Sequence, residues 1–199
     1  MHHDSLGPYR RLNHEVMLRG GFANPRLRNL LAQGKEGGVT RLLPDGVLMP
    51  VHEAADEYRR RGIPTVVLAG RRYGGGSARD WAAKVTRLLG VCAVIAQGFE
   101  RIHRSNLLAF GVLPIECEHD VVAAWQDGDT IDIEGLPDAI KAGGAVEIVL
   151  RSSESPAGTR RFAARCRIDT EVEAEWLRAG GVLSRVLAKI STAGPEGAA

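Results

Sequence analysis

The residues best equipped for chemistry lie together in the stretch Tyr73-Gly74-Gly75-Gly76-Ser77-Ala78-Arg79-Asp80. Three consecutive glycines let a backbone take otherwise forbidden angles and come close to a ligand. The stretch joins a short apolar run, Pro64 to Ala69, to a helix-like segment from Ala78 to Leu89. Loop N–H groups and a helix N-terminus at such a junction favour an anion. Arg79 in the first helical turn can clamp a carboxylate or phosphate at two points. A cation there opposes the helix dipole, so its position calls for a negative ligand. Ser77 also has a plain structural reading as an N-cap, with Asp80 three residues on suiting the dipole. The loop is neither a GxxxxGK[ST] phosphate loop nor a GxGxxG dinucleotide fingerprint. By their types and spacing alone, these residues amount to an anion site at a strand–helix junction.

Little else in the chain competes with this corner. Cys92, Cys117 and Cys166 are far apart and lack CxxC spacing, which excludes a disulfide framework and a self-contained cluster site. Each sits in or beside an apolar run, so buried thiols in a reducing compartment are expected. His103 follows an apolar strand on a helix and reads as a packing or hydrogen-bonding residue. Arg101 and Arg104 read as fold-stabilising or interface residues, and Trp81 as an anchor of its helix. Five arginines between Met1 and Leu30 face only Asp4 and Glu15, yet the net charge of the whole chain is +2, so no general pull towards nucleic acid follows. Only 5% of residues are aromatic, too few for a visible base-stacking platform. No apolar stretch reaches membrane-spanning length and no signal-peptide pattern opens the chain, which points to the cytoplasm.

The elements that must hold the corner follow from periodicity. Pro64–Ala69, Val91–Ala96 and Val112–Ile115 read as buried strands, alternating with helices over Ala78–Leu89 and Phe99–Phe110. That alternation predicts parallel βαβ units and an α/β core. Upstream, residues 1–45 read as loops around short elements, closed by a Pro44-Asp45-Gly46 turn and a helix over His52–Arg61. Downstream, Thr130–Ile133, Ala145–Leu150 and Arg160–Ile168 read as strands. Thr170 with Glu173 forms a capping box for a helix that stops at Gly180-Gly181. The predicted organisation is one domain over residues 1–190 and a frayed tail over 191–199.

Two segments resemble the aconitase family. Leu68-Ala-Gly-Arg-Arg-Tyr-Gly-Gly-Gly-Ser-Ala-Arg-Asp-Trp-Ala-Ala-Lys84 looks like its serine–arginine loop. Gly98-Phe-Glu-Arg-Ile-His-Arg-Ser-Asn-Leu-Leu-Ala-Phe-Gly-Val-Leu-Pro-Ile-Glu116 looks like the segment that follows it. Arg19–Asn24, Cys166–Thr170 and Gly180–Leu183 agree in order. The likeness is to the aconitase A and iron-regulatory-protein branch and, more distantly, to the small subunit of isopropylmalate dehydratase. It implies a swivelling β/β/α three-layer domain, N-terminally shortened. It implies part of a hydro-lyase, inactive alone, acting on an aconitate-like di- or tricarboxylic acid. A cluster-bearing large subunit or domain would be the partner and carry the [4Fe–4S] cluster, with no metal held by this chain. Ser77 matches the family's base, Arg79 its carboxylate ligand, and Gly76 and Ala78 flank them at the substrate. Ala78 departs from the family's second serine, and a further family arginine would fall before Met1. The alternatives are an RNA-binding regulatory domain, disfavoured by the balanced charge, and a non-catalytic scaffold.

Overall fold

The computed structural model describes residues 13–76, 79–152 and 158–192, with Arg79 and Thr192 described by backbone alone. The chain divides into two compact units, residues 1–65 with 88–91, and residues 66–87 with 92–199.

In the first unit, Asn13 caps helix α1 (His14–Gly20) by accepting from the amides of Glu15 at 2.9 Å and Val16 at 3.4 Å. Asn29 caps a 3-10 turn over Leu30–Ala32 and donates to the Val39 carbonyl at 3.1 Å. Strands β1 (Val39–Leu42) and β2 (Val47–Pro50) then form an antiparallel hairpin. Its turn is the expected Pro44-Asp45-Gly46, with Gly46 at φ +74° donating to the Leu42 carbonyl at 2.7 Å. Helix α2 (Val51–Arg60) follows, and the Tyr58 hydroxyl accepts from the Leu43 amide at 2.7 Å, tying helix to turn.

The second unit is a mixed α/β body on a six-stranded sheet. Its strands are β3 (Thr65–Ala69), β4 (Val91–Ala96), β5 (Leu113–Glu116), β6 (Thr130–Glu134), β7 (Ala145–Arg151) and β8 (Arg160–Cys166), in the order β3-β4-β5-β8-β7-β6. β4 and β5 are parallel, Ala93 opposite Leu113 and Ile95 opposite Ile115. β5 then pairs antiparallel with β8, so the C-terminal strands extend the βαβ sheet instead of standing apart. Helices α3 (Arg79–Leu88) and α4 (Arg101–Ala109) are the crossovers. Short helices α5 (Val121–Ala124) and α6 (Leu136–Ala139) precede β6 and β7, and α7 (Glu171–Arg178) and α8 (Val182–Thr192) close the described chain.

Alternation along the strands builds the core. Ile95, Ile115, Ile148 and Leu150 point inward with Leu108 of α4 and Ala174 of α7, all but sealed from water. Two expectations need correction. Residues 65–69 are half-buried throughout, because β3 is an edge strand rather than one covered on both faces. Cys92 is exposed, although Val91 and Ala93 beside it and Val94 and Ala96 on its own face of the strand are buried. Cys117 and Cys166 are buried as expected.

The capping box is extended. Thr170 accepts from the Glu173 amide at 3.2 Å, but the Glu173 carboxylate accepts from the Asp169 amide at 2.8 Å and takes the Arg104 guanidinium at 2.8 and 3.0 Å. Arg104 and Glu173 are both buried, so a two-point ion pair bolts α4 to α7. Gly180 and Gly181 end α7 by donating to the carbonyls of Leu177 and Trp176, the paired bonds of a Schellman motif.

Candidate active-site corner

Chain leaving β3 does not drift away from its neighbour. Gln97 donates to the Gly70 carbonyl at 3.2 Å, Tyr73 to Gly98 at 2.8 Å, and Glu100 to Tyr73 at 2.9 Å. Each bond steps forward on both strands, so the loop runs parallel to the chain leaving β4 and ends in a parallel bridge between Tyr73 and Phe99. Arg72, at φ +56°, folds the chain over and places its guanidinium 3.3 Å from Glu100.

The glycines have separate reasons. At Gly74, φ is +88° and a Cβ would fall inside the His103 side chain. At Gly76, φ is +150°, a conformation that only glycine adopts without strain, and the residue is exposed. The polypeptide therefore passes hard against α4 and then opens into solvent just before α3. Arg79 is the first residue of that ten-residue helix; its side chain, like all of Ser77 and Ala78, lies outside the described residues. Of the residues expected at the site, Gly76 is thus placed at the corner and Arg79 at the helix start.

The supporting shell was not legible in advance. The Tyr73 ring meets His103 edge-on at 5.3 Å between centroids and Phe99 at 6.0 Å. Burial pushes the Tyr73 phenol up to about 12, against the opposing pull of a hydrogen bond with Thr86 of α3. Its only sequence signal was a tyrosine directly preceding three glycines. His103 is buried in the packing role expected of it. Beside this corner, at the carboxyl end of β5, burial raises the Glu116 carboxyl but bonds from Arg165 and Arg167 outweigh it and hold it below the usual carboxylate range.

A family model of the aconitase C-terminal domain matches residues 3–120. The chain belongs to that family. It is 45% identical over 186 residues to aconitate hydratase A of Legionella pneumophila, covering 92% of this chain and 20% of that protein. It is 50% identical over 176 residues to phosphinomethylmalate isomerase of Streptomyces viridochromogenes, covering 87% of this chain and 19% of that protein. The aconitase-like chain thus spans about a fifth of the length of these curated relatives. The crystal structure of 3-isopropylmalate dehydratase from Methanocaldococcus jannaschii superposes with a TM-score of 0.51 at 26% identity, over 73% of this chain and 78% of that one.

An iron–sulfur cluster does not fit this domain's own donors. Cys92 is exposed on β4, whereas burial pushes the thiols of Cys117 up and of Cys166 up to about 11, away from the thiolate that binds metal. Among the described residues no group of three or more His, Cys, Asp or Glu can hold a metal ion. Among them, too, no helix is long and apolar enough to cross a membrane.

Proposed function

We propose that this chain is the swivelling domain or small subunit of a [4Fe–4S]-dependent hydro-lyase or isomerase acting on an aconitate-like di- or tricarboxylic acid. One observation carries the reading. The glycine corner opens at the carboxyl ends of adjacent strands, immediately before the helix that Arg79 begins, in the residue order of the family. In open α/β sheets that edge is where ligands bind.

Ser77 acts as the base that takes the proton α to a substrate carboxylate. An ordinary serine hydroxyl is far too weak for this. Loop N–H groups, the N-terminal end of α3 and a neighbouring cation lower the cost of its alkoxide. Arg79 holds a substrate carboxylate with two parallel N–H bonds and so fixes the acidic C–H towards Ser77. Gly76 keeps the approach free of side chains, and Ala78 leaves this corner one hydroxyl short of the family pattern, a loss of about 1 kcal/mol of hydrogen bonding. The cluster, carried by the partner portion, supplies a Lewis acid for departure of the substrate hydroxyl.

The test is anaerobic aconitate hydration by the chain alone and with a cluster-bearing large portion. Activity is expected only in the combination. There, Ser77→Ala should lower kcat by about 10²–10⁴ with little change in KM, because the base acts on a proton in flight. Arg79→Lys should chiefly raise KM, since a point charge cannot replace the two-point clamp. Near-normal turnover by Ser77→Ala would reduce the serine to a helix cap and end the catalytic reading.

A further inference from the structure

We propose that the apolar stripe of α8 is the surface on which this chain docks the cluster-bearing portion of the enzyme, seated there in an aliphatic groove. The identity of that partner rests on the reading above; the need for one rests on the helix itself.

Leu183, Val186, Leu187 and Ile190 recur at the i, i+3, i+4, i+7 spacing that lines one side of a helix. Ordinarily that side faces a core. Here the four residues are 71%, 44%, 55% and 65% exposed. Among the described side chains of α8, only Val182 and Arg185, near its start, are even half-buried. That start is firmly anchored. Arg185 pairs with Glu175 of α7. The Gly180-Gly181 turn packs so closely on the end of α4 that a Cβ on Gly181 would come 2.9 Å from the Ala109 carbonyl oxygen. A Cβ on Gly111 would come 2.6 Å from the Gly180 carbonyl carbon. The fold thus holds α8 by its first turn and presents its apolar side to water.

A helix of 11 residues gains little from propensity alone, because isolated helices shorter than about 12–15 residues are marginal in water. What stabilises such a helix is cover for its apolar side. The residues that follow it, Ala193-Gly-Pro-Glu-Gly-Ala-Ala199, carry no large apolar side chain. A second copy is a poor fit by area. Four aliphatic side chains bury about 100 Å² each, roughly half of the ~800 Å² per partner that a stable complex of separate chains takes. The stripe suits one part of a larger interface, with its four residues as the anchors of a helix in a groove. The relatives have the chain for it. This sequence spans 20% of the Legionella aconitate hydratase A and 19% of the phosphinomethylmalate isomerase, leaving about four-fifths of each to pack against.

The test uses the purified chain and a large portion prepared from the Legionella aconitate hydratase A, its cluster verified by visible absorption. Sedimentation should show the free chain as a monomer, with fast amide exchange in residues 183–190. Adding the large portion should slow that exchange about tenfold or more. Leu183→Gln/Leu187→Gln keeps helix propensity and should raise Kd about 100-fold, tenfold for each leucine. Leu183→Met/Leu187→Met should bind like the parent. Unchanged affinity in the glutamine variant, or no binding by the parent chain, overturns the docking role. So does a free chain that dimerises through the stripe, or one that already protects it as a monomer. Stripe-dependent binding in a complex that does not hydrate aconitate supports docking and counts against the hydro-lyase reading alone. Hydration by a complex whose affinity ignores the stripe does the reverse.

Discussion

A methyl group at position 74 would enter the space of the His103 side chain, and φ there is +88°. Gly74→Ala is therefore expected to destabilise the chain by about 1–3 kcal/mol, as overpacking does elsewhere. At Gly75 the nearest atom to a new Cβ is the Arg72 carbonyl oxygen at 3.6 Å, an ordinary contact, and φ is not in the left-handed region. Gly75→Ala should be neutral or stabilising by up to about 1 kcal/mol. Denaturant midpoints of the two variants separate a glycine that packing requires from one that it tolerates. The cysteines offer a second contrast at this scale. Cys92 is exposed, whereas Cys117 and Cys166 are buried and their thiols pushed up, Cys166 to about 11. In the folded chain Cys92 should react first with an aromatic disulfide reagent, and the other two only on unfolding. Rapid reaction of more than one thiol without denaturant would contradict the described burial.

Between elements, the buried Arg104–Glu173 pair gives the fold a pH signature. Burial raises the Glu173 carboxyl, but the Arg104 guanidinium and the Asp169 amide more than reverse this and leave it below 4.5. The folded state thus binds this proton less readily than the unfolded chain. The stabilisation is complete above the unfolded value and is lost as pH falls through the folded one. Urea midpoints should therefore hold steady from neutrality to about pH 5 and drop in more acid solution. Glu173→Gln should cost about 1–3 kcal/mol at neutral pH, because buried Arg104 keeps only the half-exposed Asp169 carboxylate, 3.3 Å away, as its counter-charge, and should flatten the acid slope. Local structure of this kind was partly legible. Thr170 announced its helix cap, Gly180-Gly181 the stop, and the alternation of Val91–Ala96 with the following helix gave elements within about two residues of those observed. Non-local pairing was not legible. Nothing in residues 160–166 says that they lie beside Leu113–Glu116, since strand partners are chosen by packing across the sheet. The hairpin of Val39–Pro50 was missed because two four-residue strands show too little alternation to stand out. Of the corner, the glycines and Arg79 could be read from residue types, but Tyr73 could not, because its importance lies in what surrounds it.

At the scale of the molecule, the sheet is the largest single structure among the described residues, and its edges there are β3 and β6. Among the described residues no strand pairs the outer side of β6, and an unpaired edge is where another chain can add a strand. The outward side chains of β6, β7 and β8 form a ladder of ion pairs. Arg151 bonds Asp132 and Glu134, and Arg161 bonds Glu134 and Glu147. Val149 lies between them, opposite both Asp132 and Arg161, and is fully buried beneath them. The register sets Glu134 directly across from Glu147, two like charges face to face, an arrangement that ordinarily weakens a strand pair. Arg161 reaches over from β8 to hold both, adding to Arg151, which holds Glu134 from β7 itself. Remove it, as in Arg161→Ala, and the carboxylates repel while Val149 loses part of its cover. The outermost strand should then fray from its Glu134 end, seen as accelerated amide exchange in residues 130–134 with β4 and β5 unaltered. Raising the salt concentration should restore part of the protection by screening the repulsion, which simple loss of an attractive pair would not do. The rest follows as colloidal behaviour: a peeling edge strand exposes the ladder of β7, and the variant should precipitate on storage at concentrations where the parent chain stays clear.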